Sequence, residues 1–121
     1  MNGRVEELIK NVLKTRNIKD VFFVACGGSL VDLYPGYYFM NIESSTVHPH
    51  WMTAKELVVA PSKFLNENAL VLICSHGGNT KEAVSAARIS LEKGAAVITM
   101  THNPDFIRSF LAAFFTSLRP I

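Results

Sequence analysis

Residues Ala69–Glu82 read ALVLICSHGGNTKE, and this stretch decides the fold. An apolar run from Ala69 to Ile73 stops at Cys74, the loop Ser75-His76-Gly77-Gly78-Asn79-Thr80 follows, and a helical pattern begins at Lys81. A short apolar run bounded by turn residues fits a strand buried on both faces. The paired glycines let backbone N–H groups converge on one spot, and the helix that follows adds the positive end of its dipole, so such loops bind anions. Hydroxyls at Ser75 and Thr80 would supply further donors.

The chain carries a shorter version of the same layout. Val24-Ala25-Cys26-Gly27-Gly28-Ser29 again places a cysteine at the end of an apolar strand, then two glycines, a hydroxyl and a helix start. Each loop alone could be no more than a tight strand-to-helix turn. Together at one sheet edge they would surround an anion with amides, hydroxyls and two helix ends, a cradle suited to a phosphoryl group with its three acceptor oxygens. Other nucleotide motifs are missing: the sequence has no GxxxxGK[ST], and neither loop is GxGxxG followed by an acidic ribose partner.

Working outward, Val5, Leu8, Ile9, Val12 and Leu13 follow helical spacing and predict an amphipathic helix over 3–16. Val21–Ala25 predicts a buried strand. Leu30 to about Asn41 predicts a helix that kinks or breaks at Pro35-Gly36, because an interior proline removes a hydrogen bond and clashes with the preceding turn. Ser45–His48 could be a short strand ended by Pro49. Thr53 and Glu56 have capping-box spacing before a two-turn helix that Pro61 stops. Asn79 and Glu82 repeat that spacing before a helix ending near Lys93, with Gly94 as its C-terminal cap, and Ala95–Thr101 predicts a third strand. A helix followed by repeated strand–helix units argues for an α/β fold, a three-layer α-β-α sandwich with a mostly parallel, flavodoxin-like sheet. In that order the first and third strands are neighbours, and ligands sit beyond their carboxyl ends.

Composition narrows the classes. A chain of 121 residues that is 49% hydrophobic and 18% charged has a core and forms one domain at most. A net charge of +2, with scattered lysines and arginines, gives no nucleic-acid footprint. No apolar run reaches the roughly 18 residues of a membrane span, and no secretory signal is visible. Cys26 and Cys74 read as reduced thiols of a cytoplasmic protein, with no partner at metal-ligand spacing. His48, His50 and His102 lie near strand ends, Glu43 and Glu82 could face a sugar, and Lys81 is read as solvated. Tyr34, Tyr37, Tyr38 and Phe39 are read as core or dimer surface, and Trp51 carries no signal.

At these motifs the chain resembles the SIS (sugar isomerase) domain family. It is most similar to the amino-terminal SIS domain of fructosamine-6-phosphate deglycases, related to the isomerase half of glucosamine-6-phosphate synthase. The likeness rests on VFFVACGGS at Val21–Ser29, Tyr34-Pro35, SHGGNTKE at Ser75–Glu82 and KGA at Lys93–Ala95, and it spans roughly residues 1–104. The resemblance implies a phosphosugar site. Ser29, Ser75 and Thr80 would donate hydroxyl hydrogen bonds to the phosphate, and Cys26, Gly27, Gly28, His76, Gly77, Gly78 and Asn79 would complete the cradle. It also implies deglycation or aldose–ketose isomerisation without metal or redox cofactor, a phosphorylated sugar or amino sugar as ligand, and a homodimer. Where the family usually has serine this chain has Gly77, so one contact is expected to be lost.

Deglycases of this kind carry two tandem SIS domains, with the catalytic groups in the second. This chain is therefore expected to bind without turnover, as a piece or truncation of such a protein. Two rivals remain, a phosphosugar sensor and a dimerising interaction fragment. Residues 105–121 depart from the family: Phe106, Phe110, Phe114 and Leu118 recur every four residues, as in a helix, but a frameshifted tail would also look unlike its relatives.

Overall fold

The computed structural model describes residues 11, 15–26, 29–75 and 81–101. The helix expected over 3–16 (Asn11, Thr15 and Arg16 excepted), the loop residues 27–28 and 76–80, and the tail from residue 102 lie outside the described residues. Four strands form one sheet: β1 (Asp20–Ala25), β2 (His48–Thr53), β3 (Ala69–Ser75) and β4 (Ala96–Thr101). Their order is β2-β1-β3-β4, and every neighbouring pair is parallel. The connections are helices: α1 (Ser29–Glu43), α2 (Ala54–Val59) and α3 (Lys81–Glu92).

The central strands β1 and β3 are buried at every position, as their unbroken apolar runs require. The alternation of each strand sorts these residues into two layers. Val21, Phe23, Ala25, Leu70, Leu72 and Cys74 pack with Leu33 and Met40 of α1 on one face. Phe22, Val24, Val71 and Ile73 pack with Leu57 of α2 and with Ala83 and Ala86 of α3 on the other. Helices cover both faces, giving the α-β-α sandwich expected from the sequence.

Two local expectations are corrected. The helix does not break at Pro35; α1 runs unbroken from Ser29 to Glu43 with Pro35 inside it. Leu30, Leu33, Tyr37 and Met40 straddle the proline and all pack into the same cluster, so tertiary packing holds both halves in one helix. The i+4 bond lost at Val31 falls on an exposed residue whose carbonyl water can reach. Nor does Pro49 end a strand at His48. β2 begins at His48 and includes Pro49, paired with Val21. β2 is the edge of this sheet, where a residue without an N–H leaves no second neighbour unsatisfied.

The helix ends follow the sequence signals. Gly94 takes a φ of +89°, its N–H donates to the Leu91 carbonyl and the Ala95 N–H to that of Ser90, a Schellman cap. At the start of α2, the Glu56 N–H donates to Thr53 Oγ1 (3.1 Å), while the Thr53 N–H (3.1 Å) and hydroxyl (2.9 Å) both donate to Glu56 Oε1. Those two donors, the backbone N–H first, hold the Glu56 carboxyl below the usual carboxylate range. A carboxyl lowered in the folded state stabilises it above the unfolded value, and this is lost as pH falls through the folded one. Thr53→Ala is expected to cost about 1 kcal/mol at neutral pH. The melting difference between the native chain and Glu56→Gln should shrink as pH falls below the ordinary glutamate range, which thermal melts at a series of pH values would measure.

Candidate functional site

The order β2-β1-β3-β4 places the reversal of winding between β1 and β3. The chain leaves β1 toward β2 on one side, and leaves β3 toward β4 on the other, so a crevice opens at the carboxyl ends of this pair. Register fixes what meets there. Ala25 pairs with Cys74, and the ladder continues one step further as the Cys26 N–H donates to the Cys74 carbonyl at 3.2 Å. The two expected loops therefore leave the sheet side by side. α1 begins at Ser29 and α3 at Lys81, so both helices start from this edge.

Side-chain alternation then separates the residues. Cys26 packs against the α2/α3 cluster, whereas Cys74 belongs to the α1 cluster. The two cysteines stand on opposite faces of the sheet and cannot bridge, which accounts for both remaining thiols. Ser75 shares the parity of Val71 and Ile73 and so stands on the same face as Cys26. It is 1% exposed, and its hydroxyl has no hydrogen-bond partner among the described residues. Buried polar groups are nearly always paired, with protein, water or a ligand.

Of the residues expected at the site, Cys26, Ser75 and the backbone of Ser29 are brought to this edge. Gly27, Gly28, His76, Gly77, Gly78, Asn79 and Thr80 lie outside the described residues. Glu82 and Lys81 are exposed in the first turn of α3. Glu43 ends α1 at the opposite edge of the sheet, away from the crevice. His50 is also remote: its Nε2 bonds Asp20 Oδ1 at 2.9 Å and its ring stacks on Phe22 at 4.3 Å.

Trp51, which carried no signal in the sequence, has a structural task. Its Nε1 donates to the Leu30 carbonyl at 2.8 Å, tying β2 to the first turn of α1 just behind the loop at 26–29. Its place in register with Phe23, an edge-strand position facing α1, is the pairing that would have disclosed this. Thr53 also reaches the carboxyl edge, but its hydroxyl is taken by the α2 cap. Among the described residues no cluster of three or more His, Cys, Asp or Glu could hold a metal ion, and no helix is long and apolar enough to cross a membrane.

Comparison with known proteins gives a consistent picture. The SIS domain profile matches residues 14–112. The chain is 40% identical over 105 residues to fructosamine deglycase FrlB of Bacillus subtilis, covering 87% of this chain and 32% of that protein. It is 30% identical over 90 residues to an uncharacterized HTH-type transcriptional regulator of Clostridium perfringens, covering 74% of this chain and 31% of the regulator. A Salmonella typhimurium protein assigned as a phosphosugar isomerase superposes with a TM-score of 0.79 at 39% identity, covering 90% of this chain and 33% of that one. The chain thus spans about a third of the length of these relatives.

The thiols supply a direct check on the geometry. Cys26 is half-buried and Cys74 is 3% exposed, so maleimide should modify Cys26 first in the native chain and both only after unfolding. Mild oxidation should leave no intramolecular disulfide. Peptide mapping by mass spectrometry reads both outcomes.

Proposed function

The chain belongs to the SIS domain family, and we propose that it binds the phosphate of a phosphorylated sugar or amino sugar at the carboxyl edge of β1 and β3. The observation that carries this reading is Ser75, buried at the switch point with no hydrogen-bond partner for its hydroxyl among the described residues. Around it Ser29 and Thr80 supply hydroxyls, Cys26, Gly27, Gly28, His76, Gly77, Gly78 and Asn79 line the cradle, and the two helix starts favour negative charge. Residues 1–104 form the binding domain and 105–121 a divergent tail. A protein carrying this domain acts in the cytoplasm in deglycation or aldose–ketose isomerisation of a fructosamine 6-phosphate, the domain supplying phosphate recognition.

Likeness to a transcriptional regulator over 74% of the chain favours a second reading, a sensor that binds without turnover. Both readings require the phosphate site. Glucose 6-phosphate or fructose 6-phosphate at a hundred times its Kd should add about 2.7 kcal/mol of stability, raising the melting midpoint by roughly 10 °C. Ser75→Ala combined with Thr80→Ala should remove the shift. No stabilisation by either sugar phosphate would refute the site. Release of glucose 6-phosphate from a fructosamine 6-phosphate, followed in a coupled assay, separates the enzyme from the sensor.

The partner is a second copy, seated on the outer face of α1. Beyond its buried stripe this helix exposes Val31, Tyr34, Tyr38, Phe39 and Ile42, and Tyr34 adjoins Trp51. Tyr34 meets Trp51 edge-on at 4.9 Å and Tyr38 at 6.0 Å, and Val31 and Ile42 fall on the same helical stripe as these tyrosines. Six large apolar side chains expose on the order of 600 Å², most of the roughly 800 Å² per partner of a standard interface. None of the six is charged, so the surface can meet its own copy about a two-fold axis without repulsion. Light scattering is expected to give a dimer, and Tyr38→Glu with Ile42→Glu a folded monomer; an unchanged dimer in that variant would exclude this face.

A further inference from the structure

The opposite edge of the sheet holds a groove of about 580 Å³ lined by polar and apolar groups, within the roughly 300–1,000 Å³ of small-molecule sites. Lys19, Asp20, Thr46, His48, Phe64 and the asparagines at 17 and 66 are among its lining residues. Its walls are held by their own bonds. The Lys19 N–H donates to the Asn68 carbonyl at 2.7 Å, Asn68 Nδ2 to the Asn17 carbonyl at 2.8 Å, and the Asn68 N–H to Asn66 Oδ1 at 2.9 Å. The His48 N–H donates to the Lys19 carbonyl at 2.9 Å, so the starts of β1, β2 and β3 are laced together around the opening.

Asp20 is the unusual member. Its side chain is 9% exposed and Oδ1 bonds His50, but Oδ2 has no hydrogen-bond partner among the described residues. A carboxylate so buried calls for a donor. The Asn17 amide, the Asn66 amide nitrogen, the Thr46 hydroxyl and the His48 ring likewise have no protein partner among the described residues. The groove therefore presents an acceptor among several donors and mixed groups, beside Phe64, a half-open apolar wall.

Three ligand classes can be compared. An anion could pair with Lys19, but it would also meet the Asp20 carboxylate and the carboxyl end of α1, which precedes Thr46, both unfavourable to negative charge. An apolar ligand would leave the amides and the carboxylate unpaired. A neutral polyhydroxylated ligand satisfies both sets, since each hydroxyl donates and accepts and its C–H surface can rest on Phe64. We infer that this groove is a second ligand site, selective for an unphosphorylated sugar or sugar alcohol and separate from the phosphate site at the carboxyl edge.

The test is a titration of the full chain with D-glucose and with D-mannitol, followed through backbone amide shifts in two-dimensional NMR. The expected result is saturable shifts confined to residues 17–20, 46–48 and 64–68 with either probe. Ser75→Ala should leave them unchanged. Asp20→Asn keeps an oxygen for His50 but replaces the free acceptor by an amide donor, and should weaken binding about tenfold. Because that variant could also disturb the fold, Phe64→Ala, at an exposed ring, serves as the second and should weaken binding at least threefold with the spectrum otherwise retained. The inference is overturned if neither probe shifts these amides at roughly 50 mM, if shifts appear only at the carboxyl edge, or if glucose 6-phosphate or methylammonium perturbs the groove more than the neutral probes. Glucose 6-phosphate binding at the carboxyl edge without any response here would sink this site and leave the phosphate reading standing.

Discussion

The pairing of β1 with β3 is the constraint on which the rest of the structure depends. Both strands are buried along their whole length, where every backbone N–H and C=O must find a partner inside the protein. Their parallel register, Asp20 with Ala69 through Ala25 with Cys74, meets that demand on the shared side. Parallel neighbours need crossover connections, and the helices that make them supply the two apolar layers. Once this pair is fixed, the loops after Ala25 and Ser75 have to leave from one edge, whatever their sequences.

The same constraint explains why the echo between the two loops has physical meaning. Two similar turns on distant strands would be unrelated. Here the bond from the Cys26 N–H to the Cys74 carbonyl sets them one residue apart across the ladder, and strand parity turns Cys26 and Ser75 to one face while sending Cys74 to the other. A slip of one residue would reverse both assignments. It would turn Ser75 toward the α1 contacts.

Much of this was legible in the sequence, for definite reasons. Apolar runs such as Val21–Ala25 and Ala69–Ile73 announce strands because burial on both faces leaves no room for polar residues. Caps at Thr53 and Gly94 are legible because they answer backbone groups a few residues away. What was not legible depends on distant neighbours. Pro35 looks like a helix breaker until Leu33 and Met40 are seen anchored in the same cluster. Pro49 looks like a stop until β2 proves to be an edge. Trp51 and the pair Asp20–His50 join segments 21 and 30 residues apart in sequence, beyond the reach of any local pattern. At the candidate site, composition suggested the hydroxyls and glycines, but only the register could put Cys26 and Ser75 on one face.

The two edges of the sheet are chemically unequal for a reason built into parallel topology. Every crossover helix begins at the carboxyl edge and ends at the amino edge, so the positive ends of α1 and α3 gather at one edge and their negative ends at the other. The sequence reinforces this difference. Glycines and hydroxyls follow β1 and β3, whereas Asp20 opens β1 and Glu43 closes α1. The helix dipoles therefore favour negative charge at the edge of Ser75 and oppose it at that of Asp20. A buried carboxylate at the amino edge would be costly if it faced only apolar neighbours. It is tolerable because His50 satisfies one oxygen and Asp20 borders an open groove. The polarity of a single sheet thus gives its two edges opposite electrostatic preferences before any side chain contributes.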